Sequence, residues 1–226
     1  MNKALRVSIS LVSLGVLMGL GCSKKEPEKP NAQPRAVATK PEKLTLEAKL
    51  EVLKSGGLEF RYADIVERLM IEFDRETFEK PGYDILLREL VEYDPPRCYN
   101  LCEVNLDRFE SDLNEGYAKV GDFAAAIKPL VDITQGALKI EILREDLDQK
   151  KVSWIEFRIN GETHKVSFRR QDKTLSARVI HLLSQLLYAQ SPTLIYATYH
   201  DNYLACITRD QLKKLNENGI AFEEVK

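Results

Sequence analysis

The sequence predicts an α+β fold, a helical N-terminal part packed with a mostly antiparallel β-sheet. Three observations carry that expectation. Apolar residues recur at helical spacing from Leu46 to Val131, they alternate or run unbroken in short stretches from Leu138 onward, and Asn160-Gly161 stands between two of those stretches. Composition agrees: of 226 residues 44% are hydrophobic and 30% charged, which allows a real core and excludes collagen-like, wholly disordered and disulfide-dense chains. Lys and Arg number 33 against 35 Asp and Glu, and no basic block marks a phosphate track, so no nucleic acid partner is expected.

The first segment stands apart from the fold. Lys3 and Arg6 precede an apolar run from Val7 to Leu20, shorter than the roughly 20 residues a transmembrane helix needs but of signal-peptide length. It ends in Gly19-Leu20-Gly21-Cys22, followed by Ser23-Lys24-Lys25. This junction resembles the lipobox of bacterial lipoproteins, with Gly19 where that pattern carries Leu, Val or Ile. The resemblance implies cleavage after Gly21, lipid attachment at Cys22, and a mature chain held on the membrane by its acyl chains rather than spanning it. Each buried acyl CH₂ adds about 0.8 kcal/mol, so several chains hold where one does not. Ser23 stands where an Asp would imply inner-membrane retention, which points to the periplasmic side of the outer membrane. The expected organisation is a signal peptide over 1–21, a lipidated Cys and disordered Pro/Lys/Glu linker over 22–43, with Pro27, Pro30, Pro34 and Pro41, and a single α+β domain over 44–226.

Within that domain Leu46, Leu50 and Leu53 share a helix face that Ser55-Gly56-Gly57 ends. Ile65, Val66, Leu69, Met70 and Phe73 repeat the pattern, as do Ile85, Leu86, Leu90 and Val91 between Pro81-Gly82 and Pro95-Pro96. A further helix is expected over Tyr117–Val131 and a half-buried strand over Leu138–Ile142. Asn160-Gly161 marks a two-residue hairpin turn that sets Phe157 opposite His164, Ile155 opposite Val166, Ser153 opposite Phe168 and Glu156 opposite Lys165. Thr174–Ala189 carries a leucine stripe and reads as a helix. Thr193–Tyr199 and Tyr203–Thr208 are apolar on both faces, a second hairpin whose turn at Asp201-Asn202 would set Ala197 opposite Cys206. Thr208 and Gln211 form a capping-box pattern for a short helix, Asn218-Gly219 ends it, and Ile220–Val225 can add a last strand.

Few residues point to chemistry. Cys98-x-x-x-Cys102 would place two thiols on one helical face, within reach of a disulfide in an oxidising compartment; a pair of free thiols is the alternative. Cys206 reads as a buried small hydrophobe. His164, His181 and His200 have no His or Cys at metal-ligand spacing, so no metal and no cofactor are expected. The acidic run Glu141, Glu145, Asp146 and Asp148 lacks the Gly and Glu of a calcium loop and reads as a solvated turn. There is no Gly-x-Ser-x-Gly elbow, phosphate loop or dinucleotide glycine pattern, hence no catalytic motif. The hairpin tip Tyr199, His200, Asp201, Asn202 and Tyr203 sets aromatic rings beside polar groups and is the candidate partner-binding site, against the plainer reading of a solvated turn.

The strand start Gly136-Ala137-Leu138, the hairpin from Trp154 to Phe168 and the closing segment from Cys206 to Gly219 resemble parts of small, uncharacterised bacterial α+β proteins, and some immunity proteins to secreted toxins have a similar build. The resemblance transfers no functional residue and implies binding over catalysis. The expected function is therefore that of a membrane-tethered envelope lipoprotein that binds a protein partner, as an inhibitor or immunity factor does. The alternative is an envelope enzyme or small-ligand sensor whose site is assembled from residues distant in sequence.

Overall fold

Thr45 starts the first helix by accepting the Ala48 N–H on its side-chain oxygen at 3.2 Å. This holds in the computed structural model, which describes residues 44–226 except 94, 105, 107, 108, 110, 113–117, 148–151, 170–174 and 201. Helix α1 (Leu46–Ser55) buries Leu46, Leu50 and Leu53 and stops at Gly56, as its sequence foretells. Helices α2 (Ile65–Met70), α3 (Arg75–Phe78) and α4 (Asp84–Val91) follow. After β1 (Leu101–Glu103) come α5 (Asp122–Asp132), β2 (Ile140–Asp146), β3 (Val152–Ile159), β4 (Glu162–Arg169), α6 (Leu175–Gln190), β5 (Leu194–Tyr199), β6 (Tyr203–Thr208), α7 (Arg209–Glu217) and β7 (Glu223–Glu224). The fold is α+β. No helix among the described residues is long and apolar enough to cross a membrane.

Among the described residues the strands form two antiparallel sheets where a single one was expected, in the orders β1-β6-β5-β7 and β2-β3-β4. In the β3–β4 hairpin Asn160 and Gly161 take φ values of 49° and 93°, which a two-residue turn requires, and all four expected cross-strand pairs are present. The β5–β6 hairpin is shifted by one residue. Tyr196, not Ala197, lies opposite Cys206, because Tyr199 pairs with Tyr203. His200 adopts a φ of 50°, a left-handed conformation that few non-glycine residues take, His among the more frequent of them. The shift exchanges sheet faces, so Tyr199 and Tyr203 share a face with Ala197 and Ala205.

That face matters because β6 is buried along five consecutive residues, Tyr203 to Ile207. Tyr203, Ala205 and Ile207, with Ala197, Tyr199 and Leu101, join the core formed by α1 to α4 and α7. Leu204 and Cys206, with Tyr196 and Cys102, join a second core built from α5, α6 and the three-stranded sheet. Tyr196 is fully buried there and donates its hydroxyl hydrogen to the Leu130 carbonyl at 2.6 Å, which satisfies its one polar group.

Other boundaries move for local reasons. The helix expected from Tyr117 begins at Asp122, after Gly121 at a φ of 99°; Tyr117 itself lies outside the described residues. The strand expected to end at Ile142 runs to Asp146, with a register shift between Ile142 and Arg144. Glu141, Glu145 and Asp146 therefore sit on β2 rather than in a turn, and a Glu145 carboxylate oxygen accepts the Gly121 N–H at 2.7 Å; Asp148 lies outside the described residues. The last strand shrinks to Glu223–Glu224, paired with β5.

Candidate functional site

The site begins with a single β-bridge between two loops. Phe60 pairs with Cys98, and on either side the Arg61 N–H donates to the Arg97 carbonyl and the Tyr99 N–H to the Glu59 carbonyl, both at 2.8 Å. The pairing sets Arg61 against Tyr99. The guanidinium lies 4.2 Å from the ring centroid, and its Nε donates to the Pro96 carbonyl at 2.9 Å. Two more such stacks follow along the same loops and α2: Arg68 over Tyr62 at 4.0 Å and Arg97 over Tyr93 at 3.6 Å.

Beside them opens a cleft of about 830 Å³. One wall is α1, through Leu50, Glu51 and Lys54; the other is the segment from Gly57 to Ala63, with Tyr99. Its floor is apolar. Leu50, Leu58 and Ile65 are buried there, while Phe60 and Val66 are half-buried and Tyr99 is exposed. Behind Glu59 lies a smaller hollow of about 430 Å³, lined by Asn100, Thr134, Gln135 and Cys206 among others, where the Gln135 amide donates to the Glu59 carboxylate at 3.0 Å.

The charges around the cleft are unequally matched. Arg75 lies 2.7 Å from both carboxylate oxygens of Glu47, and these hydrogen bonds hold the Glu47 carboxyl below its ordinary range. Arg68 pairs with Asp64 at 2.9 Å and Arg97 with Glu72 at 3.3 Å. Among the described residues neither Arg61, Glu51 nor Lys54 takes part in an ion pair. Arg61 thus carries a guanidinium whose face and Nε are held while its terminal nitrogens meet no acid among the described residues.

The residues singled out from sequence lie elsewhere. Tyr199 and Tyr203 are only 5% and 9% exposed. The hairpin tip therefore presents no aromatic patch: Tyr199 packs against Phe222, with ring centroids 5.3 Å apart, and burial raises both phenols above their ordinary pKa. His200 remains exposed, stacked on Tyr199 at 4.1 Å with its Nδ1 3.3 Å from an Asp84 carboxylate oxygen. The Asn202 carbonyl accepts the Val104 N–H at 2.8 Å, and Asp201 lies outside the described residues, as does Cys22.

The expected bridge between Cys98 and Cys102 is absent; both are free and buried, like Cys206. The bridge was expected on a helical face, and here the segment is extended, with Cys102 on β1 opposite Leu204 and Cys98 opposite Phe60. Cys98 enters the core under the N-terminal helices and Cys102, with Cys206, the other core. Burial pushes the Cys98 and Cys206 thiols up to about 12 and that of Cys102 higher still, so none is a thiolate nucleophile at neutral pH. His164 stacks on Phe157 with centroids 5.9 Å apart, and its buried Nε2 has no hydrogen-bond partner among the described residues. His181 contacts the Lys226 carbonyl and Gln185. Among the described residues no three His, Cys, Asp or Glu side chains gather as metal ligands would.

The cleft escaped sequence reasoning because its parts come from α1, the Gly57–Val66 stretch, Tyr99 and Gln211. The one visible sign was the density of Arg and Tyr in Arg61-Tyr62 and in the segment from Tyr93 to Tyr99. The chain matches no protein-family model, and no curated protein and no solved structure is significantly similar to it.

Proposed function

We propose that the protein is a bacterial envelope lipoprotein, anchored through an acylated Cys22 on the periplasmic side of the outer membrane, whose body acts by binding another protein as an inhibitor or immunity factor does. The observation that carries the binding part is the Arg61–Tyr99 stack on the cleft, with the Arg68–Tyr62 and Arg97–Tyr93 stacks around a neighbouring hollow of about 230 Å³. Arg and Tyr recur at the energetic centres of protein interfaces, because each offers a large flat contact together with hydrogen-bonding groups. A guanidinium already stacked and tied to a main-chain carbonyl loses little further freedom on binding. The anchoring part rests on the Gly21-Cys22-Ser23 junction that follows the apolar run.

Both parts are open to one set of experiments in the native bacterium. Labelled palmitate is incorporated into the wild-type chain and not into Cys22→Ala. A photo-crosslinking residue at Tyr99 captures a defined protein, and the product is lost with Arg61→Glu. The same residue at Val152 gives no product, although both positions are 43% exposed. Equal yields at the two positions refute binding at the cleft, and a mature chain without acyl mass refutes the anchor.

A further inference from the structure

The bridge between Phe60 and Cys98 uses only one edge of the segment around it. On that edge Glu59 gives its carbonyl to Tyr99 and its N–H to the Asn100 side chain, and Arg61 gives its N–H to Arg97. Successive residues of an extended chain direct their main-chain groups to opposite edges. The N–H and C=O of Phe60 therefore lie on the other edge, and Phe60 makes no hydrogen bond among the described residues. An open edge of this kind is a template for a further strand.

We infer that the cleft takes an extended peptide segment of another protein, added as a strand along the free edge at Phe60, with one carboxylate side chain on Arg61. The inference rests on the binding reading above and names the kind of segment bound. Main-chain bonds to Phe60 supply the first attachment, and side chains on one face of the added strand meet the apolar floor at Phe60 and Val66, as in other peptides captured by a sheet edge. The edge is fixed in advance, because the Asn100 side chain accepts the Glu59 N–H at 2.9 Å and donates to the Gly57 carbonyl at 2.8 Å, on the side away from the incoming strand. Charge selects the segment. Among the described residues Arg61 has no acid of its own, which calls for a carboxylate there. Glu51 and Glu59 line the same cleft, so a uniformly acidic segment is repelled.

The test uses the full chain and an acetylated, amidated octapeptide of alternating Val and Thr with one central Glu. On saturation the amide of Phe60 should shift in the NMR spectrum and exchange its hydrogen at least tenfold more slowly. Replacing the central Glu by Gln should weaken binding about fivefold, and N-methylation of alternate amides on the edge facing the protein should abolish it without touching the protein's own stability. Arg61→Glu should reverse the preference in favour of a Lys-centred peptide. Absence of binding at millimolar peptide, or binding that leaves Phe60 unchanged, overturns strand addition. If the Tyr99 crosslink then still captures its protein, the binding reading stands alone; if the crosslink is also lost, both fail.

Discussion

The side-chain nitrogen of Asn100 donates to the Gly57 carbonyl at 2.8 Å and to the Cys206 carbonyl at 3.1 Å, so one amide ties the end of α1 to the central strand β6. Its oxygen accepts the Glu59 N–H, and the residue is 4% exposed. The wall of the cleft is thus held from behind by a group that never reaches the cleft's surface.

Asn100→Ala should be among the most damaging single changes. It strips partners from two carbonyls and one N–H, each costing about 1–2 kcal/mol when left unpaired in the interior. Urea unfolding should show a loss of roughly 3–5 kcal/mol in sum. Asn100→Asp keeps the acceptor but turns a charge toward two carbonyls, so it should not restore stability. A loss below about 1 kcal/mol would mean that water replaces the amide.

The three buried thiols give a pH dependence whose sign follows from their raised pKa values. A thiol with a folded pKa above its unfolded value of about 8.5 contributes stability that is fully present below that pH and lost as the pH rises toward about 12. Within that window each removes up to ~1.4 kcal/mol per pH unit, and the buried phenol of Tyr196 acts in the same sense. Lys49, whose ammonium is lowered by burial, acts in the opposite sense. The urea midpoint should fall between pH 9 and 11, and the Cys102→Ala, Cys206→Ala double variant should be less stable at pH 7 yet flatter above pH 9. Equal slopes would assign the alkaline loss to other groups.

The same cysteines predict a labelling pattern. Iodoacetamide should leave Cys98, Cys102 and Cys206 unmodified in the native chain and modify all three in denaturant without reductant, since none is bridged. Recovery of a linked Cys98–Cys102 peptide would contradict the extended geometry of the segment.

At the β5–β6 hairpin, two neighbouring positions should behave in different ways. Tyr199→Ala empties a site packed against Phe222 and Tyr203 and should cost about 3–4 kcal/mol. His200→Ala loses a stack on Tyr199 and leaves Ala in a left-handed conformation, so it should cost about 1 kcal/mol, well below Tyr199→Ala, and it should leave partner capture at Tyr99 unchanged. A His200 variant that loses the crosslink would return the binding surface to the hairpin tip.

Gly57 has a φ of 92°, and a β-carbon there would meet the Gln211 side chain at 2.3 Å. Gly57→Ala should therefore destabilise by roughly 2–3 kcal/mol, from backbone strain and forced movement together. Measured against the Gln211→Ala single variant, which itself loses the bond from the Thr208 N–H, Gly57→Ala should cost the strain and no longer the steric share. An undiminished cost would place the whole of it in the backbone.

Local signals made the fold class readable. Asn160 and Gly161 dictated the turn, and alternation around them dictated the register, so every pair from Ser153 to Phe157 was legible. The neighbouring hairpin slipped by one residue because His200 takes a left-handed conformation that its residue type does not announce. β1 has three residues and is a strand only because β6, a hundred residues later, supplies its partner; nothing in Leu101-Cys102-Glu103 distinguishes it from a helical turn. The cleft failed for the same reason on a larger scale. Arg61 and Tyr99 meet through the bridge at Phe60 and Cys98, a long-range pairing that carries no periodicity. Conversely, the apolar character of both faces of β5 and β6 was plain, but it marked a strand buried between two cores and so took the hairpin's tyrosines out of solvent.

Because β6 serves both cores, the folded body offers no seam along which to cut it. A fragment ending before Tyr203 deprives α1 to α4 of the sheet they rest on, and one starting at Ile140 lays Ala205 and Ile207 bare. Premature stops, deletion libraries and split-protein designs will therefore return all-or-nothing phenotypes, and a recombination event can transplant the Arg–Tyr cleft only by carrying the C-terminal hairpin with it.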